Sequence, residues 1–126
     1  MQDNVNHPQH YTQASVYVEP INICRMLGFN FGNMFKYVAR APFKGHEKED
    51  LEKAMWYYQD AKKASSHLAK HNPRAWGAIC VYSCNSKNDL LKDAVKPSNS
   101  IGEFFVYLAH MIELRIIHLE ENAISN

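Results

Sequence analysis

Residues 32–57 read Gly32-Asn-Met-Phe-Lys-Tyr-Val-Ala-Arg-Ala-Pro-Phe-Lys-Gly-His-Glu-Lys-Glu-Asp-Leu-Glu-Lys-Ala-Met-Trp-Tyr57. The stretch has the grammar of a helical hairpin: a helix that ends before Pro42, a short basic turn, and an acidic start to the next helix. Lys36, Arg40 and Lys44 recur every four residues, which puts Lys36 and Arg40 on one helical face and carries Lys44 past the turn. Such a row can grip an anion. It can equally be a solvated face that balances Glu47, Glu49 and Asp50, the usual fate of charge runs. Gly45 permits a positive φ at the turn or close approach of backbone to a ligand.

Outward from this hairpin the same helical period continues, and the fold class expected is all-α. Toward the N-terminus, Pro20 suits a first helical turn, Gly28 reads as a stop, and Ile21, Cys24 and Leu27 form an apolar stripe. The second helix spans about 30–41, with Phe31, Met34, Phe35 and Val38 inward. The third runs from about His46 to His71, with Leu51, Ala54 or Met55, Tyr58, Ala61 and Leu68 as its core stripe. Trp56 and Tyr57 lie off its centre. Residues 73–99 read as an irregular connection, with the apolar run 76–83 either strand or helix, a strand pair there being one outcome, and Asp89 to Val95 a short helix.

The last helix starts at a capping box, Ser100-Ile-Gly-Glu103, and extends to about Asn122. Its apolar residues, from Ile101 through Leu119, cover more than one stripe. One small domain has difficulty hiding so wide a face, so a subunit interface and a homo-oligomer are expected.

The 126 residues suit a single domain: an arm over 1–15, a helical core over 16–72, the connection, and the C-terminal helix over 100–123. Fourteen Lys and Arg against thirteen Asp and Glu leave a formal charge of +1, so there is no bulk attraction to nucleic acid or to a membrane surface. No apolar run approaches a membrane span or a signal peptide, and a cytoplasmic setting is expected. Cys24, Cys80 and Cys84 lack the second pair that a zinc site needs and read as buried or free thiols. His67 and His71, four apart, lack a third ligand.

No Gly-x-Ser-x-Gly elbow, P-loop or dinucleotide fingerprint occurs. What remains is a set of cations on helix and turn, a polar arm rich in imidazole, and acids at Glu47, Glu49, Asp50 and Glu52 that could hold Mg2+. Phosphoryl transfer is catalysed mostly by positioning and charge neutralisation, which such parts supply without a P-loop. Because a guanidinium grips two phosphate oxygens at once, Arg40 is the first candidate for a transferred phosphate, with Lys36 and Lys44 assisting.

Three spaced blocks, Asn6-His7-Pro8-x-His10-Tyr11, Gly32-Asn33-x-x-Lys36-Tyr37-x-x-Arg40 with Lys44-Gly45, and Glu49-Asp50-Leu51-x-Lys53-Ala54-x-Trp56-Tyr57, resemble the small bacteriophage SaV-like family. That family includes a phage nucleotide kinase that lacks a P-loop. The resemblance covers about residues 5–60 and departs at Ala14 and Ser15, where the family commonly has glycines. It implies an oligomer in the cytoplasm of an infected bacterial host that transfers a phosphoryl group from a nucleoside triphosphate to a deoxynucleoside monophosphate. Carried onto matching positions, it implies His7, His10 and Tyr11 for ligand contact or proton handling, Asn33, Lys36, Tyr37 and Arg40 for the nucleotide, and Lys44 with Gly45 at the turn. Catalysis would fall to Arg40, Lys36 and His10. Glu49 and Asp50 would orient the cations or hold a metal, and Trp56 would stack a base. Three other functions fit the residues: a protein that sequesters nucleotides against host defence, a Mg2+-dependent all-α nucleotide pyrophosphatase, and an interaction protein whose last helix docks a target.

Overall fold

The computed structural model describes residues 18–64 and 68–125, and within them every regular element is helical. In chain order they are α1 (Pro20–Met26), α2 (Phe29–Arg40), a 3-10 turn (Ala41–Phe43), α3 (Glu47–Lys63), α4 (Pro73–Asn85), α5 (Asp89–Val95) and α6 (Ile101–Ser125). The all-α expectation holds.

Pro20 opens α1, and the Glu19 carbonyl accepts from the N–H groups of Asn22 and Ile23. The core residue of this short helix is Ile23, and of the expected stripe Cys24 and Leu27 pack against the core while Ile21 is half exposed. Gly28 does not terminate α1 in a left-handed conformation. It is extended, at φ −67° and ψ 172°, and serves as the N-cap of α2, its carbonyl accepting from Gly32 N–H at 2.8 Å. Gly32 lets the two helices touch: a Cβ there would lie 2.9 Å from the Cys24 carbonyl oxygen.

The expected inner face of α2, Phe31, Met34, Phe35 and Val38, is buried. The 3-10 turn and Gly45, at φ +78°, reverse the chain, so that α3 packs antiparallel on α2. Asn30 donates to Asp60 at 3.1 Å near one end of this hairpin, and Arg40 meets Asp50 at the other. Leu51, Ala54 and Ala61 fill the interface from α3. The helix ends at Lys63 rather than near His71, and Leu68 is exposed beyond it.

The stretch 73–99 is not irregular, and the strand pair near 76–83 does not form. Asn72 caps α4 by accepting from Ala75 N–H at 3.0 Å, Pro73 occupies the first turn, and Ala75, Ile79 and Ser83 are buried at four-residue spacing. Asn72 also donates to the Met26 carbonyl and so ties α4 to the end of α1. Asn88 does the same for α5. It accepts from Leu91 N–H at 3.1 Å and donates across the core to the Val38 carbonyl at 2.8 Å. Ser100 Oγ accepts from Glu103 N–H as a capping box requires, while the Glu103 carboxylate reaches one residue further back, to Asn99 N–H.

Along α6, Ile101, Phe104, Phe105, Leu108, Ala109 and Ile112 close the core. Phe105 packs on Phe31 with ring centroids 4.9 Å apart, and Phe104 on Trp76 at 5.9 Å. Arg115 clamps α6 to the start of α3 through a two-pronged contact with Glu47, Nε to Oε2 at 2.7 Å and Nη2 to Oε1 at 3.0 Å. No helix among the described residues is long and apolar enough to cross a membrane.

Candidate functional site

The α2–α3 hairpin sets three cations around one phenol ring. Lys36 Nζ lies 4.6 Å from the Tyr37 ring centroid, Lys53 Nζ 5.4 Å and Arg40 Cζ 5.8 Å. Lys36 and Arg40 are four apart on α2, and Lys53 arrives from α3 because the antiparallel crossing sets it against Tyr37. The π face of Tyr37 attracts each cation and offsets part of their mutual repulsion. Tyr37 is itself held by Tyr57, near-parallel at 12° with centroids 6.0 Å apart, and Phe29 and Trp56 stand edge-on to Tyr57 at 5.7 and 5.1 Å.

One carboxylate answers this charge. Asp50 is 1% exposed and its Oδ2 lies 3.4 Å from Arg40 Nε, an ion-pair distance without hydrogen-bond alignment, so Oδ2 has no hydrogen-bond partner among the described residues. A buried carboxylate needs that guanidinium, and the pairing holds the Arg40 side chain against α3 while it stays half exposed. Among the described residues neither Lys36 nor Lys53 makes an ion pair. The cluster therefore carries a surplus of two positive charges on a small aromatic platform.

The other expected residues fall in different places. Lys44 is exposed in the turn, and Gly45 serves backbone geometry, since a Cβ there would meet nothing within 4 Å. Asn33 turns its side-chain amide back on its own helix, donating to the Phe29 carbonyl at 2.9 Å. Trp56 is 61% exposed and borders a shallow hollow of about 230 Å3 with Glu52, Met55, Gln59, Asp60 and Lys63. His7, His10 and Tyr11 lie outside the described residues, as does His67.

Glu49 and Asp50 do not converge as metal ligands. Consecutive residues on a helix point about 100° apart, and here Asp50 is buried against Arg40 while Glu49 faces solvent. Glu47 is held by Arg115, and Glu52 pairs with Lys48 at 3.4 Å. Among the described residues no three His, Cys, Asp or Glu side chains gather in a way that could hold a metal ion.

Lys53 stands in the third sequence block but was given no role at the site from sequence. The signal that could have found it is its spacing, three after Asp50 and four before Tyr57, which puts all three on one side of α3. A larger cavity of about 440 Å3 lies between the α1–α2 junction and residues 68–72, lined by Leu27, Phe29, Asn30, Ala61 and His71 among others, and none of the expected site residues borders it. The three cysteines are free. Burial pushes the Cys24 thiol above its ordinary value although the charge of Lys36 pulls it down, so it is a neutral thiol at physiological pH.

A family model described as a protein of unknown function (DUF3310) matches residues 5–59 of the chain. The matched stretch takes in α1, α2 and most of α3, and with them every member of the cation cluster. No curated protein and no solved structure matches the chain.

Proposed function

We propose that the α2–α3 hairpin binds the phosphates of a nucleotide. The observation that carries this reading is the gathering of Lys36, Lys53 and Arg40 around Tyr37 with Asp50 as their single carboxylate partner among the described residues. A phosphate group brings the charge that this arrangement lacks, and Arg40, already oriented by Asp50, can present two N–H groups to it. Trp56 and Tyr57 provide a ring surface next to the cations on which a base can stack.

The finer reading is the one the three sequence blocks imply: a phosphotransferase working in the cytoplasm of an infected bacterial cell, moving a phosphoryl group from a nucleoside triphosphate to a deoxynucleoside monophosphate such as dTMP or dGMP. In that reaction the cations would neutralise charge on the transferred group, and the His10 imidazole would handle the acceptor's proton. Mg2+ would enter coordinated by the triphosphate oxygens, since Glu47 and Asp50 are committed to arginines. The same commitments weigh against the pyrophosphatase reading. A protein that only sequesters nucleotide needs the same grip, and product analysis separates the two.

The binding test is calorimetric titration of dTMP, dGMP and a triphosphate into the wild type and a Lys36→Met/Lys53→Met double variant. Both positions are exposed, so the fold survives the change. Removing two phosphate contacts should weaken binding by about tenfold or more and flatten its salt dependence. Equal affinity in the two proteins sinks the phosphate site. With a labelled triphosphate and dTMP, a diphosphate product supports the kinase, pyrophosphate supports the hydrolase, and tight binding without turnover supports sequestration.

A further inference from the structure

The cavity of about 440 Å3 opens where the α1–α2 junction, Ala61 of α3 and residues 68–72 meet. Its volume falls within the range of about 300–1,000 Å3 common for small-molecule sites. Two hydrogen bonds brace its walls. Asn72 donates to the Met26 carbonyl at 3.2 Å, which ties residues 68–72 to the end of α1, and Asn30 donates to Asp60 at 3.1 Å, which ties α2 to α3. The cavity is therefore formed before a ligand arrives, and filling it loses little conformational entropy. Met26, Leu27, Phe29, Phe31, Ala61 and Leu68 give it an apolar lining, in which a thioether and two phenyl rings suit a flat ring.

We propose that this cavity is a second ligand site, separate from the cations of the hairpin, which takes a small aromatic compound bearing one anionic head, a carboxylate or a phosphate. The head group follows by elimination among the polar residues of the lining. None of them is acidic. The Asn72 amide is committed on both sides, to the Met26 carbonyl and to Ala75 N–H. An ionised carboxylate can only accept, so the contact with Asp60 fixes the Asn30 nitrogen on that side, and the Asn30 Oδ1 is buried from solvent. That leaves the Lys70 ammonium and the His71 imidazole. They are adjacent and exposed at the mouth of the cavity, and among the described residues neither makes an ion pair. Arg25 and Lys62, each next in sequence to a lining residue, add positive potential at the same place although the whole chain carries only +1. Both free groups offer donors, so a ligand must bring acceptors and negative charge there while its ring meets the apolar lining.

The test uses the full chain with Lys36→Met/Lys53→Met, which removes two of the three hairpin cations and makes the outcome independent of the phosphate site proposed there. In fluorescence titrations, naphthyl phosphate and naphthoate should each saturate at one molecule per chain. Naphthalenemethanol, the same ring with a neutral head, should bind at least about tenfold more weakly, and inorganic phosphate should not bind. The tighter of the two anions names the head group. Heteronuclear NMR should show the backbone amides of residues 26–31 and 68–72 shifting as the anions bind. Adding Lys70→Glu/His71→Gln should weaken both anions by about tenfold or more and leave the alcohol within about twofold. Both positions are exposed, so the far-UV circular dichroism should not change. Equal affinity for anions and alcohol, amide shifts confined to other parts of the chain, or anion binding that survives Lys70→Glu/His71→Gln overturns the proposal.

Discussion

Changing Asn88 to Asp replaces one heavy atom, Nδ2 by Oδ2, and should break the coupling between α2 and α5. Asn88 is 1% exposed; its Oδ1 caps α5 at Leu91 N–H, and its Nδ2 donates to the Val38 carbonyl at 2.8 Å and weakly to the Ala39 carbonyl at 3.5 Å. Asn88→Asp keeps the shape and the capping oxygen but turns the donor into a second acceptor aimed at a carbonyl. The Val38 carbonyl keeps a bond from Ala41 N–H, so losing the Asn88 bond by itself costs about 1 kcal/mol. Burying an unpaired carboxylate at the negative end of α2 adds more, for a total of about 3–5 kcal/mol at neutral pH. Asn88→Ala loses the cap and the bond, about 2 kcal/mol, and leaves a small void. The expected order at pH 7 is therefore wild type, then the alanine variant, then the aspartate variant.

The pH dependence separates charge from shape. Burial raises the pKa of the introduced carboxyl in the folded state above its unfolded value of about 3.9. The unfolded chain then gives up its proton first as pH rises, so the folded state is progressively disfavoured above about pH 4. Below that value the protonated carboxyl can donate to Val38 much as the amide does. Urea unfolding followed by tryptophan fluorescence from pH 4 to 8 should show the gap to wild type widening with pH. A gap that stays constant, or an aspartate variant more stable than the alanine variant at pH 7, would refute the assignment of Asn88 as a donor across the core.

Two further substitutions test the frame that holds the cluster. Gly32→Ala drives a methyl to 2.9 Å from the Cys24 carbonyl oxygen, so α1 and α2 must separate; the expected loss is about 1–3 kcal/mol despite alanine's better helix propensity, and a rise in melting temperature would contradict the close crossing. Arg115→Met removes the clamp on Glu47, whose hydrogen bonds raise the pKa of the guanidinium. Because Arg115 is 38% exposed, solvent screening reduces the expected loss to about 0.5–1 kcal/mol, and the difference from wild type should shrink in high salt. A loss that does not change with salt would assign the effect to packing of the arginine stem instead.

The α2–α3 hairpin was readable because three local signals agree there: an apolar period of about 3.6 in α2, a proline and glycine at the turn, and acids at the start of α3. In α4 the local signals conflict. Trp76 to Tyr82 is too short and too evenly apolar for periodicity to separate strand from helix, and the deciding cue, Asn72 capping ahead of Pro73, looks like a loop when read as a stop for α3. Helix α1 was located correctly, and Cys24 and Leu27 of its expected stripe pack against the core, but Ile23 takes the place of Ile21, since seven residues give a stripe little to average over.

By itself the sequence determined that the chain is helical, where its basic row sits, and that its last helix is too apolar for one side to absorb. Those properties follow from spacing along the chain, which a helix converts directly into faces. The tertiary structure decided which charges meet. Lys53 joins Lys36 and Arg40 around Tyr37, Asp50 is taken into the core as their counterion, and Glu47 is drawn away to Arg115. Each of those pairings crosses between helices, and the angle and register of a helix crossing are set by how side chains of different sizes interlock.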